Sequence, residues 1–169
     1  MAIGTKEIAV ASVLGALAFL SEVIVGPPFD IPFPLYQRVT WDVTGIPIMI
    51  SLLLYGPLCG VYTCLIGSSI IFLRGNLSGG VFKVVAELST LLAYSAVKSH
   101  FVNKSAVATV SRVAVMTVTN YYMLQFFYNM PEAVVVGLLP VLAIFNASQA
   151  LINILPAHLI HRRLPTFTT

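Results

Sequence analysis

Charge is scarce in this sequence. Only 9% of its 169 residues are Asp, Glu, Lys or Arg, 58% are hydrophobic, and the mean hydropathy is +0.94. Soluble domains are about a quarter charged, so the composition excludes an ordinary soluble fold and indicates an integral membrane protein. The basic residues are scattered rather than gathered on one stripe, which excludes a nucleic-acid partner. Cysteine is limited to Cys59 and Cys64. Five apart in one apolar stretch, they fall on different faces of a helix, so neither a disulfide nor a metal pair is expected and both read as packing residues. No small-x-small exit follows the first apolar run, which is therefore expected to be a mature span rather than a signal peptide. Nucleophile–base motifs, phosphate loops, haem pairs and glycine-rich dinucleotide loops are all missing. So are a ladder of voltage-sensing arginines and a selectivity-filter sequence. These absences favour binding over catalysis, with no catalytic residue, metal site or cofactor expected.

What the chain does have is apolar length. A membrane-crossing helix needs about 20 apolar residues, which allows six spans in one domain covering residues 1–169. The expected spans are 8–25, 43–55, 58–73, 81–97, 106–128 and a last one from the helix-start pattern Asn129-Met130-Pro131-Glu132 to about residue 160. Gly26-Pro27-Pro28, then Pro32 and Pro34, remove backbone donors and disfavour helix. Residues 26–40 are therefore expected as a long structured loop between the first two helices, carrying Phe29, Phe33 and Tyr36 with Trp41 just beyond. Those aromatics suit either an interfacial belt or a lid over a site. Gly56-Pro57 divides the second span from the third, 74–80 reads as a plain turn, 98–104 as a polar connection, and Pro140 as a possible kink.

An even number of spans puts both termini on one side. With them lie Lys6, Lys98, Lys104, Arg112, Arg162 and Arg163, while Arg38, Arg74 and Lys83 lie opposite: six against three. By the positive-inside rule both termini are cytoplasmic and the proline-rich loop faces outward.

Polar residues inside the apolar stretches are the candidates for function. Asn120 lies in the charge-free segment 113–131, and Asn146 and Gln149 lie in 133–161. An amide left unpartnered in hydrocarbon costs about 4 to 8 kcal/mol on scales without hydrogen bonding, so such groups face a bundle interior or a cavity. Lys83 and Glu87, four apart on one helix face, read as an ion pair. Asp42 and Thr44 suit a helix cap, and His158 and His161 suit the membrane interface. In the first span, Ala11 with Gly15 and Ser12 with Ala16 form small-xxx-small pairs, which serve either packing within the bundle or docking to a partner subunit.

Four ordered segments resemble the substrate-binding subunits (S-components) of energy-coupling factor vitamin importers, most closely the riboflavin-specific ones. Asp42-Val43-Thr44-Gly45-Ile46-Pro47 resembles the family's Asp-x-Ser-x-Ile-Pro. Tyr55-Gly56-Pro57-Leu58-Cys59-Gly60 resembles its Phe-Gly-Pro-x-x-Gly turn. The run from Arg112 to Asn120-Tyr121 resembles its fifth-span segment, and Phe145-Asn146-Ala147-Ser148-Gln149 stands where the family has Phe-Asn-x-x-Lys. Ala86-Glu87-Leu88 fits its Gly-Glu-Leu in part. The resemblance implies a six-helix membrane bundle that binds riboflavin near its extracellular face beneath the first loop. It also implies docking, through small residues of the first helix, to a transmembrane coupling protein joined to two ATPases.

Carried over by position, Asn120 and Asn146 are the binding amides, with Asp42 and Thr44 near the same mouth and Glu87 close by. Gln149 replaces the family's lysine; it offers donors and an acceptor but no positive charge. A flavin suits these residues, because Asn146 and Gln149 share a helix face, Asn120 is on the adjacent span, and Phe33, Tyr36 and Trp41 can stack on or seal the ring. The alternatives are an S-component for another vitamin, a small intramembrane enzyme using Glu87 and Asp42 as acid and base, and a structural subunit whose amides bond only to neighbouring helices.

Overall fold

The computed structural model describes residues 4–24 and 30–164. Residue 25 of the first expected span, Gly26-Pro27-Pro28 and Phe29 lie outside the described residues. Among those described are six helices: α1 (Thr5–Val23), α2 (Gly45–Tyr55), α3 (Pro57–Leu73), α4 (Leu77–Ala96), α5 (Phe101–Tyr128) and α6 (Glu132–Arg163). Between α1 and α2 stand two short strands, β1 (Asp30–Pro32) and β2 (Thr40–Asp42), paired antiparallel with Asp30 opposite Asp42 and Ile31 opposite Trp41. The expectation of an all-α chain is corrected here by this hairpin. Pro32 fits the end of a strand that has no further partner on its outer side among the described residues, and the Phe33 N–H closes the ladder on the Val39 carbonyl at 2.9 Å. A two-stranded ribbon is marginal by itself, so its place depends on what it packs against.

Several helix ends fall at residues with special backbone preferences. Gly56 takes φ +88°, a backbone state open chiefly to glycine, and Pro57 occupies the first position of α3. Asn129 ends α5 in the left-handed region at φ 50°. Two expected connections are shorter than the sequence pattern suggested. Asn76 accepts the Gly79 N–H at 2.9 Å and so caps α4, which makes 77–80 helix rather than turn. The polar run 98–104 ends early because α5 starts at Phe101; lysine is a good helix former and does not interrupt it. α6 is continuous through Pro140 and Pro156.

α1 packs chiefly on α3, where small residues let the backbones meet. A Cβ at Gly15 would crowd Ile66, and one at Gly67 would meet Ala18. The core runs through Ile48, Met49, Leu91, Ala150 and Ile154, and Cys59 and Cys64 are buried with free thiols. The outer surface is apolar, with Leu17, Leu20, Val110, Val118, Phe126 and Leu159 exposed. Soluble monomers rarely show such continuous apolar area. By length and composition alone, α4 and α6 qualify as membrane-crossing among the described residues, with α2 and α3 shorter apolar helices. α2, at 11 residues, rises about 16 Å, well short of a bilayer.

Candidate functional site: a cavity beneath the hairpin

A cavity of about 500 Å³ opens between the hairpin and helices α4, α5 and α6, within the range of roughly 300 to 1,000 Å³ typical of small-molecule sites. The hairpin contributes Tyr36, Arg38, Val39, Thr40 and Asp42 to its wall, and α4 contributes Phe82, Lys83 and Ala86. From α5 come Arg112, Met116, Asn120 and Leu124, and from α6 Leu142, Phe145, Asn146 and Gln149. Helical spacing explains the last two sets: Arg112, Met116, Asn120 and Leu124 recur every four residues, so one stripe of α5 faces the cavity.

Two charge clusters support this wall, and neither pairs Lys83 with Glu87 as the four-residue spacing suggested. Lys83 bonds instead to Asp42 and lies 3.5 Å from Glu22 at the end of α1. Glu87 takes Arg112, whose Nη1 donates to its Oε1 at 3.0 Å; the two side chains are 1% and 3% exposed. An opposite charge on a neighbouring helix with good geometry outweighs one on the same helix, because a buried ion needs the closest partner available. Burial alone would raise the Asp42 carboxyl. The charge and hydrogen bond of Lys83, with bonds from Thr44, outweigh it and hold the group below its ordinary value. The Thr44 N–H donates to Asp42 Oδ1 at 3.0 Å and the Thr44 hydroxyl donates to Glu22 at 2.9 Å, so neither side chain caps the first turn of α2 as the sequence suggested.

A chain of amides joins the clusters. Asn153 Nδ2 donates to both Glu87 oxygens at 3.1 Å, and its Oδ1 accepts from Gln149 Nε2 at 3.0 Å. Gln149 then grips the Asp42 backbone from both sides: Nε2 donates to the carbonyl at 2.8 Å, and Oε1 accepts the N–H at 3.2 Å. Asn146 accepts from Arg112 Nε at 3.4 Å and donates to its own helix at the Leu142 carbonyl.

Of the expected binding residues, Asn120, Asn146, Gln149, Asp42 and Tyr36 are on the cavity wall, whereas Thr44, Glu87, Trp41 and Phe33 stand behind it. Phe33 packs edge-on to Trp41 at 5.1 Å and against Phe145 at 5.5 Å, sealing the hairpin to α6. The side-chain amide of Asn120, a residue 6% exposed, makes no hydrogen bond among the described residues; Arg112 Nη2 is also unengaged there. Sequence reasoning missed three residues. Arg112 was counted as a topology charge near a helix end, yet α5 starts at Phe101, which sets Arg112 about 16 Å along it. Lys83 was given the wrong partner. Asn153 was overlooked, although it continues the stripe of Asn146 and Gln149 four residues on.

The small residues of α1 divide. Ala11 and Gly15 are buried against α3, Ser12 approaches the Tyr62 hydroxyl at 3.4 Å, and Ala16 is exposed. His158 stacks on Phe101 with ring centres 3.8 Å apart.

A bundle of apolar helices enclosing a half-polar cavity under a hairpin defines a membrane protein that holds a small molecule. The family model for the substrate-specific component of ECF transporters matches residues 6–161, and the chain belongs to that family. It is similar to a protein described as riboflavin transporter RibU from Staphylococcus aureus (strain TCH60), with 28% identity over 96% of this chain and 92% of that one. Its fold matches a solved structure described as the S component of a bacterial ECF transporter, with a TM-score of 0.78 and 24% identity over 94% of each chain.

Proposed function

We propose that this chain captures riboflavin in the cavity beneath the hairpin and delivers it by docking to a transmembrane coupling protein driven by two ATPase subunits. The observation that carries the reading is the cavity wall itself. Apolar side chains (Met116, Leu142, Phe145) face a flat ring, and the donors left unengaged, Asn120 and Arg112 Nη2, face its carbonyl edge or the hydroxyls of its tail. Family membership and the riboflavin-transporter relative support the same ligand class.

In this reading the six helices form the membrane bundle, α2 crossing only part of the bilayer and the hairpin completing that end, with the hairpin outside the cell and both termini in the cytoplasm. Removing the buried Arg112 and Lys83 from the positive-residue count changes six against three to five against two, which keeps the excess of three on the side of the termini. Ala16 and the exposed side of α1 are the surface offered to the coupling protein. Catalysis by Glu87 and Asp42 is disfavoured, because each carboxylate is already held by a cation and Glu87 is off the cavity wall.

Titration of the detergent-solubilised protein with riboflavin tests the proposal. Quenching of flavin fluorescence at micromolar ligand, with a yellow species co-purifying, is the expected result. A colourless protein that leaves flavin emission unchanged would sink it.

A further inference from the structure

Gln149 is engaged at every donor it has. Its carboxamide pairs with the backbone N–H and carbonyl of Asp42, as a neighbouring strand would, and its remaining N–H reaches Asn153. Two adjacent contacts follow the same line. Trp41 Nε1 donates to Ser148 Oγ at 2.8 Å, and Phe33 rests on Phe145. Three residues on one face of α6, Phe145, Ser148 and Gln149, therefore seat the hairpin that forms one wall of the cavity. Because β2 has no strand on its far side among the described residues, the Gln149 amide supplies the backbone pairing that the sheet does not.

We infer that Gln149 is a positioning residue that latches the β1–β2 hairpin over the cavity, rather than a group that contacts the ligand. The inference rests on reading that cavity as the flavin site. Glutamine suits this work because it donates and accepts at once. Lysine in the same place would donate to the Asp42 carbonyl but not accept its N–H, and glutamate would accept but not donate. A latch of this kind acts on binding through the population of the seated hairpin. Its loss weakens all ligands of the cavity by one common factor.

Trp41, the single tryptophan, reports on the seat directly. In ligand-free protein, Q149L is expected to shift Trp41 emission to the red and raise its quenching by acrylamide, with Q149K and Q149E intermediate. Riboflavin and the tail-less lumiflavin should both bind Q149L roughly tenfold to thirtyfold more weakly, by the same factor. Weakened binding with unchanged Trp41 quenching, or a loss confined to one of the two flavins, would overturn the inference. If Q149L does not fold, Q149K and S148A decide it in the same way. Should wild-type protein bind no flavin, the proposed function falls, while the ligand-free Trp41 measurement still tests the latch.

Discussion

Glu87 on α4 and Arg112 on α5 meet at 3.0 Å in the interior of the bundle, and the Asn153 amide completes the carboxylate's coordination from α6. Three helices are tied at this point. Removing one partner of a buried pair leaves an uncompensated charge, at a cost of about 3 to 5 kcal/mol. R112M is expected to lower the apparent melting temperature sharply in detergent. Pairing it with E87L should recover much of the loss. A double variant as unstable as R112M would count against the pair as the cause.

Asn120 and Asn146 should separate in their effects. The Asn120 side chain makes no hydrogen bond among the described residues, so N120A is expected to weaken riboflavin binding about threefold to tenfold while leaving the melting temperature unchanged. Asn146 bonds to Arg112 and to the Leu142 carbonyl, so N146A should reduce both quantities. Fluorescence titration beside a thermal melt distinguishes the two.

The cluster of Lys83, Asp42 and Glu22 sets an acid limit. The Asp42 carboxyl is held below its ordinary value, so the stability it contributes is complete above that value and is lost as pH falls through the depressed one. Stability of the hairpin end is thus expected to be flat from about pH 8 down to about pH 5. In K83M the lowering charge is gone and burial raises the group instead. The acid limb of a melting-temperature profile should move to higher pH.

Gly45 opens α2 directly against Asn153, and a Cβ there would fall on the Asn153 amide. G45A is expected to cost about 1 to 3 kcal/mol by overpacking and to disturb the Asn153 bonds to Glu87. A melt of G45A equal to wild type would show that Asn153 has room to move.

Several features were legible in the chain because their causes are local. Gly56-Pro57 separates α2 from α3 through the conformations those residues allow, and Asn129 ends α5 for the same reason. Asn120, Asn146 and Gln149 were visible as amides in apolar helices, and the three-residue spacing of Asn146 and Gln149 placed those two on one face of α6. The hairpin was not legible: strands of three residues have too little pattern to detect, and residues 30–42 are held by contacts with α6 rather than by their own propensity. The family to which the chain belongs accounts for the order of the motifs, but motif order does not say which side chain meets which.

Membrane class, the run of apolar helices and the identity of the polar residues within them are therefore properties of the sequence alone. They follow from transfer free energies and backbone preferences that act residue by residue. The partners of the charges belong to the tertiary structure. Lys83 has Glu87 one turn away on its own helix, yet binds Asp42, and Glu87 binds Arg112, twenty-five positions on. In an interior of low dielectric the closest well-aligned opposite charge prevails, and packing of α4 against α5 and the hairpin decided which that was. The same packing set the Gln149 carboxamide against the Asp42 backbone, a contact that its position on α6 does not reveal by itself.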